Sequence, residues 1–425
     1  MSFSPEGLQH ALDHLNVWCR TNFMSISVSK SHLWTSLALL PESIPRLMVA
    51  DHALSYVTEY NFVGIRFDSA SPYMYDKHYK VKASQARLSK DAIFSRVENR
   101  VGSFPMKEGL ILYTAKVDPY LIAGCEIVLD IDPSVLEELR QVSLMFLRHL
   151  LGVHPKMGVS FLHAETGVMP LHFRHLILAL RYLCYLLGLP GDHLATLALR
   201  ESIALHGAGL PSWFGDLQRV LLWLALTIVL NRQDLSVPSI SSLITSVEGV
   251  CLRSLNNDIE VMVKGAILRL SMKHVPGVMG LHPRKKTCSR RLYLAVPIPA
   301  HRKALTRLWM SSHLLAVELL QWSERYHPYI PPVEDEQHAL LVCAAAPGLV
   351  CLQRRFLIDV CRLCPQLDFA WNRLGIDDRL ACLLQLPAAE LLFAQFVHHV
   401  FEIFHTVPVY IPLLSLCTAP SEGDI

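Results

Sequence analysis

From Pro72 to the C-terminus the chain is written almost without interruption in helical periods. Apolar residues recur at spacings of three and four, which puts them on one side of a helix with about 3.6 residues per turn. That pattern predicts helices over 76–101, 105–116, 134–151, 170–187, 192–206, 217–231, 243–274, 301–324, 335–345, 349–363 and 388–405. Glycine and proline supply the punctuation: Gly102, Pro119, Pro155, Gly188 with Pro190, Gly207 with Pro211, Pro276-Gly277 and Pro331-Pro332. No repeat of constant period accompanies the helices, so a regular helical solenoid is not expected.

The first 70 residues read differently. A helix is expected over 5–19, where Leu8, Ala11, Leu12, Leu15 and Cys19 share a face behind an N-cap at Ser4 and a first-turn Pro5. After it, 24–30 (MSISVSK) alternates apolar and hydroxyl residues, as a half-buried strand does. Short strands are also expected at 46–50, 54–58 and 62–67. The fold class is therefore mainly α with a small α+β N-terminal segment. The expected division is 1–70, a helical domain over 71–275, a basic linker over 276–300 and a helical C-terminal domain over 301–425.

Composition excludes several classes. With 52% hydrophobic and 18% charged residues, the chain has ample material for a core and is not disordered. The net charge of +2 gives no global pull toward nucleic acid, so any such surface must be local. Eleven cysteines at irregular spacing do not form a disulfide framework, and the opening MSFSPEG has neither a basic start nor an apolar run. Reduced thiols in the cytoplasm or nucleus are expected. The longest apolar run, 221–230 (LLWLALTIVL), falls short of the ~20 residues a bilayer crossing takes, so it is expected to be a buried helix and no membrane partner is expected.

Two local features carry charge. The helix at 76–101 holds Lys77, Lys80, Lys82, Arg87, Lys90, Arg96 and Arg100 against Asp76, Asp91 and Glu98. Such a surface binds phosphates without reading sequence. A second cluster, Arg284, Lys285, Lys286, Arg290 and Arg291, is expected to be linker. The adjacent aspartates Asp377-Asp378 (GIDDRL) are expected at a helix start, where they complement its dipole. Phosphate-binding glycine loops, His-Glu-x-x-His and Gly-x-Ser-x-Gly are absent from the sequence.

The order of signals over about 5–187 is itself informative. Trp18-Cys19 ends the first helix. Ser27-Val28-Ser29-Lys30-Ser31 follows, then Tyr60 and Phe62-Val63-Gly64, then Tyr113, Asp118-Pro119-Tyr120-Leu121 and Gly124-Cys125-Glu126. Phe146-Leu147-Arg148, Leu150-Leu151-Gly152, Glu165-Thr166-Gly167 and Met169-Pro170 complete the series. This order resembles the part of a non-long-terminal-repeat (LINE-like) retrotransposon reverse transcriptase just after the catalytic aspartate pair, most closely the fungal members. Where that family has Asn-x-x-Lys-Thr, this chain has Ser27 to Ser31; where it has Tyr-Leu-Gly, this chain has Phe62-Val63-Gly64.

The resemblance implies the end of a palm, a helical thumb and a zinc-type C-terminal domain, with a template–primer duplex of RNA and DNA as partner. It implies that the magnesium-binding aspartates of an intact member stand upstream of Pro5, leaving this chain without its own polymerase centre or cofactor. Lys30 would then stand near departing pyrophosphate, Gly64 at a turn beside the primer, and Lys80, Lys82, Arg87 and Lys90 on a helix tracking the duplex. His338 and Cys343 form the His-x4-Cys half of the family's zinc set. The Cys-x2-Cys expected before it is missing, leaving His327, and Cys361 with Cys364 come after it. A helical protein-interaction module, or a retroelement remnant with no selected function, are the alternatives.

Overall fold

The computed structural model describes residues 5–34, 46–224, 230, 235–284, 288–315, 317, 335–344 and 346–406. It is mainly helical, with 67% helix and 4% strand. The chain divides into two compact units interleaved in sequence. The first comprises Met1–Lys90, Lys116–Val142 and Arg174–Ile244; the second comprises Asp91–Ala115, Ser143–Phe173 and Thr245–Ile425. The expected succession of 1–70, 71–275, 276–300 and 301–425 is therefore not how the chain partitions.

In the first unit, α1 (Pro5–Thr21) is followed by short two-stranded pairs. Strand β1 (His32–Leu33) pairs in parallel with β4 (Ser55–Tyr56), and β2 (Met48–Val49) pairs with β3 (His52–Ala53) in antiparallel fashion. Strands β5 (Glu59–Phe62) and β6 (Ile65–Asp68) form a hairpin closed by Val63-Gly64, with Phe62 opposite Ile65. Then come α2 (Asp76–Ala92), the short α4 (Asp118–Leu121) and most of α7 (Leu171–Gly188), with α8 (Leu194–Gly207) and α9 (Trp213–Trp223). Between them in sequence lie α3 (Met106–Leu112), α5 (Pro133–Leu151) and α6 (Val159–Thr166). The core of this unit is built from Leu121, Leu176, Leu180, Leu183, Phe214 and Leu217, all essentially without solvent exposure.

The second unit contains α3, α6, the later part of α5 and of α10 (Val237–Val261), then α11 (Ala266–Met272), α12 (Pro299–Trp309), α13 (Pro347–Leu363), α14 (Pro365–Trp371), α15 (Ile376–Leu384) and α16 (Glu390–Thr406). Its core joins Phe146, Leu147, Phe161, Leu162, Leu308, Val360, Phe396 and Val397. No single helix among the described residues is long and apolar enough to cross a membrane. The apolar run at 221–230 lies partly outside the described residues; Leu221 within it is buried in α9.

Several expectations need correction. The segment 24–30 is not a strand: Val28–Lys30 is a 3₁₀ turn. Its serines bond locally, Ser31 Oγ to Ser27 O at 3.0 Å and Ser27 Oγ to Ser29 Oγ at 3.3 Å, which offers the backbone an alternative to a ladder. The helix expected over 243–274 breaks after Val261, where the Met262 carbonyl accepts the Gly265 amide at 3.1 Å and Arg269 Nη1 at 2.7 Å. The helix from 301 ends at Trp309, with Ser311 at φ 45°, and 318–334 lie outside the described residues. Helix 76–101 is continuous only through a π-helical stretch at Ile93–Glu98, and 105–116 through another at Tyr113–Val117. Simple 3.6-residue spacing does not foresee such insertions.

The hairpin tip is strained. Val63 has φ 49° and Gly64 φ 83°, the two positive values of a type I′ turn. Glycine accepts this freely, but a β-branched residue there is a genuine outlier. Val63 is also 86% exposed, so no packing repays the strain. Replacing Val63 by Asn, which tolerates this region, should stabilise the hairpin by about 1 kcal/mol. Chemical denaturation of Val63→Asn should show the midpoint move upward; a fall would sink the account.

Candidate functional site

Behind the hairpin, the first unit holds a chain of buried polar anchors. Asp118 opens α4 and is 2% exposed, and Arg174 on α7 grips both of its carboxylate oxygens. One residue later, His175 Nδ1 lies 2.9 Å from Asp130 Oδ2 and its Nε2 donates 2.9 Å to Leu121 O. Tyr79 of α2 donates to Asp130 Oδ1 at 2.5 Å, and Tyr73 donates to Leu129 O at 2.7 Å. His78 donates from Nε2 to Ala123 O at 2.9 Å and accepts the Arg66 amide at Nδ1, 3.4 Å, which ties strand β6 to the 118–125 turn. Trp213 Nε1 donates to Glu126 O at 3.0 Å. The motif residues Asp118, Leu121 and Glu126 are thus contact points of one polar scaffold.

Burial opposes the charged form of His175, but Asp130 outweighs it with its charge and hydrogen bond, so the net shift of the imidazole is upward. Burial and the same carboxylate push the Tyr79 hydroxyl well above its ordinary range. His78 moves the other way: burial outweighs its bond to Ala123 and holds it down.

The residues expected to meet nucleic acid are distributed as follows. Lys30 is exposed in the 3₁₀ turn, and Gly64 lies at the hairpin tip beside exposed Phe62 and Val63. On α2, at about 100° per residue, Lys77, Lys80 and Arg87 fall toward one side, with Lys90 at its edge. Lys82 falls on the other, lining a recess with His78, Tyr79 and His175. The expected single basic face therefore lacks Lys82. That face is also partly neutralised: Lys77 pairs with Glu59, Lys80 Nζ is 2.7 Å from Asp76, and Arg87 is 3.8 Å from Glu138. Water and salt screen such exposed pairs, so each is weak and competing phosphates can displace it.

In the second unit, the cluster expected to be linker is instead partly core. Glu165 of α6 is fully buried, gripped by Arg284 and accepting Tyr293 Oη at 2.8 Å. Arg291 Nε stands 3.9 Å from the same carboxylate, and its amide donates 3.1 Å to Glu165 O. Arg284 lies 5.4 Å from the centroid of Trp309, whose ring stacks on Tyr293 at 5.5 Å. Gly167 has φ 75°, and a Cβ there would meet the Arg290 amide nitrogen at 2.7 Å, so the basic segment passes where only glycine fits. Lys285 and Lys286 lie outside the described residues.

The zinc expectation finds no geometric support. Cys343 is buried and its amide donates 2.8 Å to His338 O, while His338 Nδ1 is buried without a partner. Among the described residues no three His, Cys, Asp or Glu side chains gather as a metal site needs, and His327 lies outside them. Cys361 and Cys364 close helix α13. Asp377 and Asp378 stand in the first turn of α15, as their sequence context implied, bonded to Gln337 and Lys273 at 2.6 Å each.

No protein-family model, curated protein or solved structure matches this chain.

Removing Arg174 should leave Asp118 as an uncompensated buried charge, at a cost of roughly 3–5 kcal/mol. Arg174→Met should therefore unfold far more readily than Arg174→Met combined with Asp118→Leu; equal stability of the two would contradict this role. The raised His175 sets a pH dependence. Its stabilisation is complete below the unfolded value of about 6.5 and fades as pH rises through the higher folded value. The melting difference between the parent protein and Asp130→Asn should accordingly be larger at pH 6 than at pH 9.

Proposed function

We propose that this chain is the post-catalytic portion of a retroelement reverse transcriptase and that it grips template–primer duplex through α2 and the neighbouring hairpin. The observation that carries the reading is a juxtaposition. His78 of basic helix α2 accepts the Arg66 amide of β6, and Lys77 beside it stands against Glu59 on β5, so the exposed Phe62-Val63-Gly64 tip and the basic face adjoin each other. A protruding apolar tip meets a duplex through its shape. A lysine and arginine face meets it through phosphate charge, without base readout. The ordered motifs over 5–187 support the choice of family. None of its acidic residues is assigned to polymerisation, which needs two carboxylate-held divalent ions; Lys30 keeps only its place near the departing pyrophosphate.

The alternative of a helical interaction module draws on α1 and the turn after it, where Leu15, Val17, Trp18, Phe23 and Met24 are exposed.

An RNA–DNA primer–template titrated across salt tests the proposal. Affinity should fall steeply with salt, with a slope of about −0.9 per phosphate neutralised if the duplex behaves as B-form DNA does. The paired acids give a signed expectation. Glu138→Gln, which releases Arg87, should tighten binding, Lys80→Glu should weaken it severalfold, and Lys82→Gln should change it little. Absence of binding at low salt would leave the interaction module as the better account.

A further inference from the structure

The second unit contains an open cleft of about 350 Å³, partly exposed to solvent. Three arginines, Arg284, Arg290 and Arg291, line it together with the buried amide of Gln385. Small-molecule sites span roughly 300–1,000 Å³ and combine apolar walls with a few placed polar groups. Here Leu305, Leu383 and Phe393 supply apolar wall.

Two features of this cleft lack a counterpart among the described residues. Arg290 is exposed at the cleft and has no carboxylate partner among the described residues. Gln385 is 2% exposed, and its Nε2 is committed to the carbonyls of Lys273 at 2.7 Å and Leu270 at 3.3 Å. Those two bonds fix the amide orientation, and the remaining Oε1 is buried with no donor. A buried acceptor left unmet is costly, because it has given up water for nothing.

The charges point the same way. Glu165 is fully buried and already gripped by Arg284 and Tyr293, so it cannot also serve Arg290. Burial raises the Glu390 carboxyl at the cleft wall, and even ionised it leaves three lining arginines against one lining carboxylate. The cleft therefore carries a positive field, an accessible guanidinium and an orphan acceptor.

We infer that this cleft binds a phosphorylated sugar of the nucleotide class, with its phosphate on Arg290 and a sugar hydroxyl or base amine donating to Gln385 Oε1. A guanidinium matches phosphate through paired N–H donors. A bare anion satisfies the arginine but not the glutamine; a neutral donor satisfies the glutamine but not the arginine. The ligand is a free nucleotide or one residue of a single strand, which share this chemistry. The inference does not depend on the duplex-binding role of α2.

Equilibrium dialysis of the full chain tests it, with AMP, a six-nucleotide single-stranded oligonucleotide and inorganic phosphate as separate probes. AMP should bind saturably and more tightly than inorganic phosphate. Arg290→Glu should weaken AMP at least tenfold with an unchanged circular dichroism spectrum, because the side chain is exposed. Lys80→Glu should leave AMP binding as it was. Equal affinity for AMP and the oligonucleotide identifies the free nucleotide as the ligand. Affinity for the oligonucleotide tenfold above AMP, with the same loss in Arg290→Glu, identifies a strand. The proposal is overturned if neither probe saturates, if Arg290→Glu binds both as the parent does, if Lys80→Glu weakens AMP as much as Arg290→Glu, or if inorganic phosphate binds as tightly as AMP.

Discussion

A carboxylate with no access to water dictates much of what surrounds it. Glu165 is in that position, and its burial is tolerable only because Arg284, Arg291 and Tyr293 converge on it. Beside them, Ser289 and Arg290 pass Gly167, where any side chain would strike their backbone. Tyr293 then lies against Trp309, and Arg284 sits over the same indole. One charge thus fixes the course of a basic stretch that composition alone marks as solvated linker. Asp118 plays the equivalent part in the first unit, where Arg174 and the adjacent His175 bind α7 to the turn beginning at α4.

What the sequence makes legible is what depends on local spacing. The helices at Pro5–Thr21, Pro133–Leu151, Leu171–Gly188 and Pro347–Leu363 start and stop within a few residues of where apolar periodicity and Pro/Gly punctuation put them. The same argument fails for 24–30, because alternation of apolar residues with serine is equally served by serines that bond their own turn. It also fails at Ile93–Glu98 and Tyr113–Val117, where one extra residue per turn leaves the composition of the helix unchanged.

The candidate site is legible only in part. Residue type nominates Lys80 and Arg87, but their carboxylate partners differ in kind: Asp76 is a helix neighbour that spacing could reveal, whereas Glu138 is distant in sequence. Helical phase alone is enough to separate Lys82 from Lys77, Lys80 and Arg87. Glu165, Gly167, Asp118 and Cys125 appear among the ordered motifs as signals of family likeness, yet nothing in the string shows that the first meets Arg284 or that the third meets Arg174. The orphan acceptor on Gln385 has no sequence signature at all, since it arises from which carbonyls its nitrogen reaches.

The interleaving of the two units bears on how the chain is made. The first unit is not complete until residues up to Ile244 exist, and the second takes segments from 91–115 and 143–173 that are synthesised long before their partners. Glu165 leaves the ribosome well over a hundred residues ahead of Arg284 and Tyr293. At about 5–20 residues per second, that gap is roughly 6–26 s during which the acid must stay hydrated and α6 undocked. The contacts around Glu165 are among those that close over long stretches of chain, and they form only after that loop-closure entropy has been met. A single cut near the middle of the chain would therefore part α3 and α6 from the rest of the second unit and leave most of the first unit behind with them.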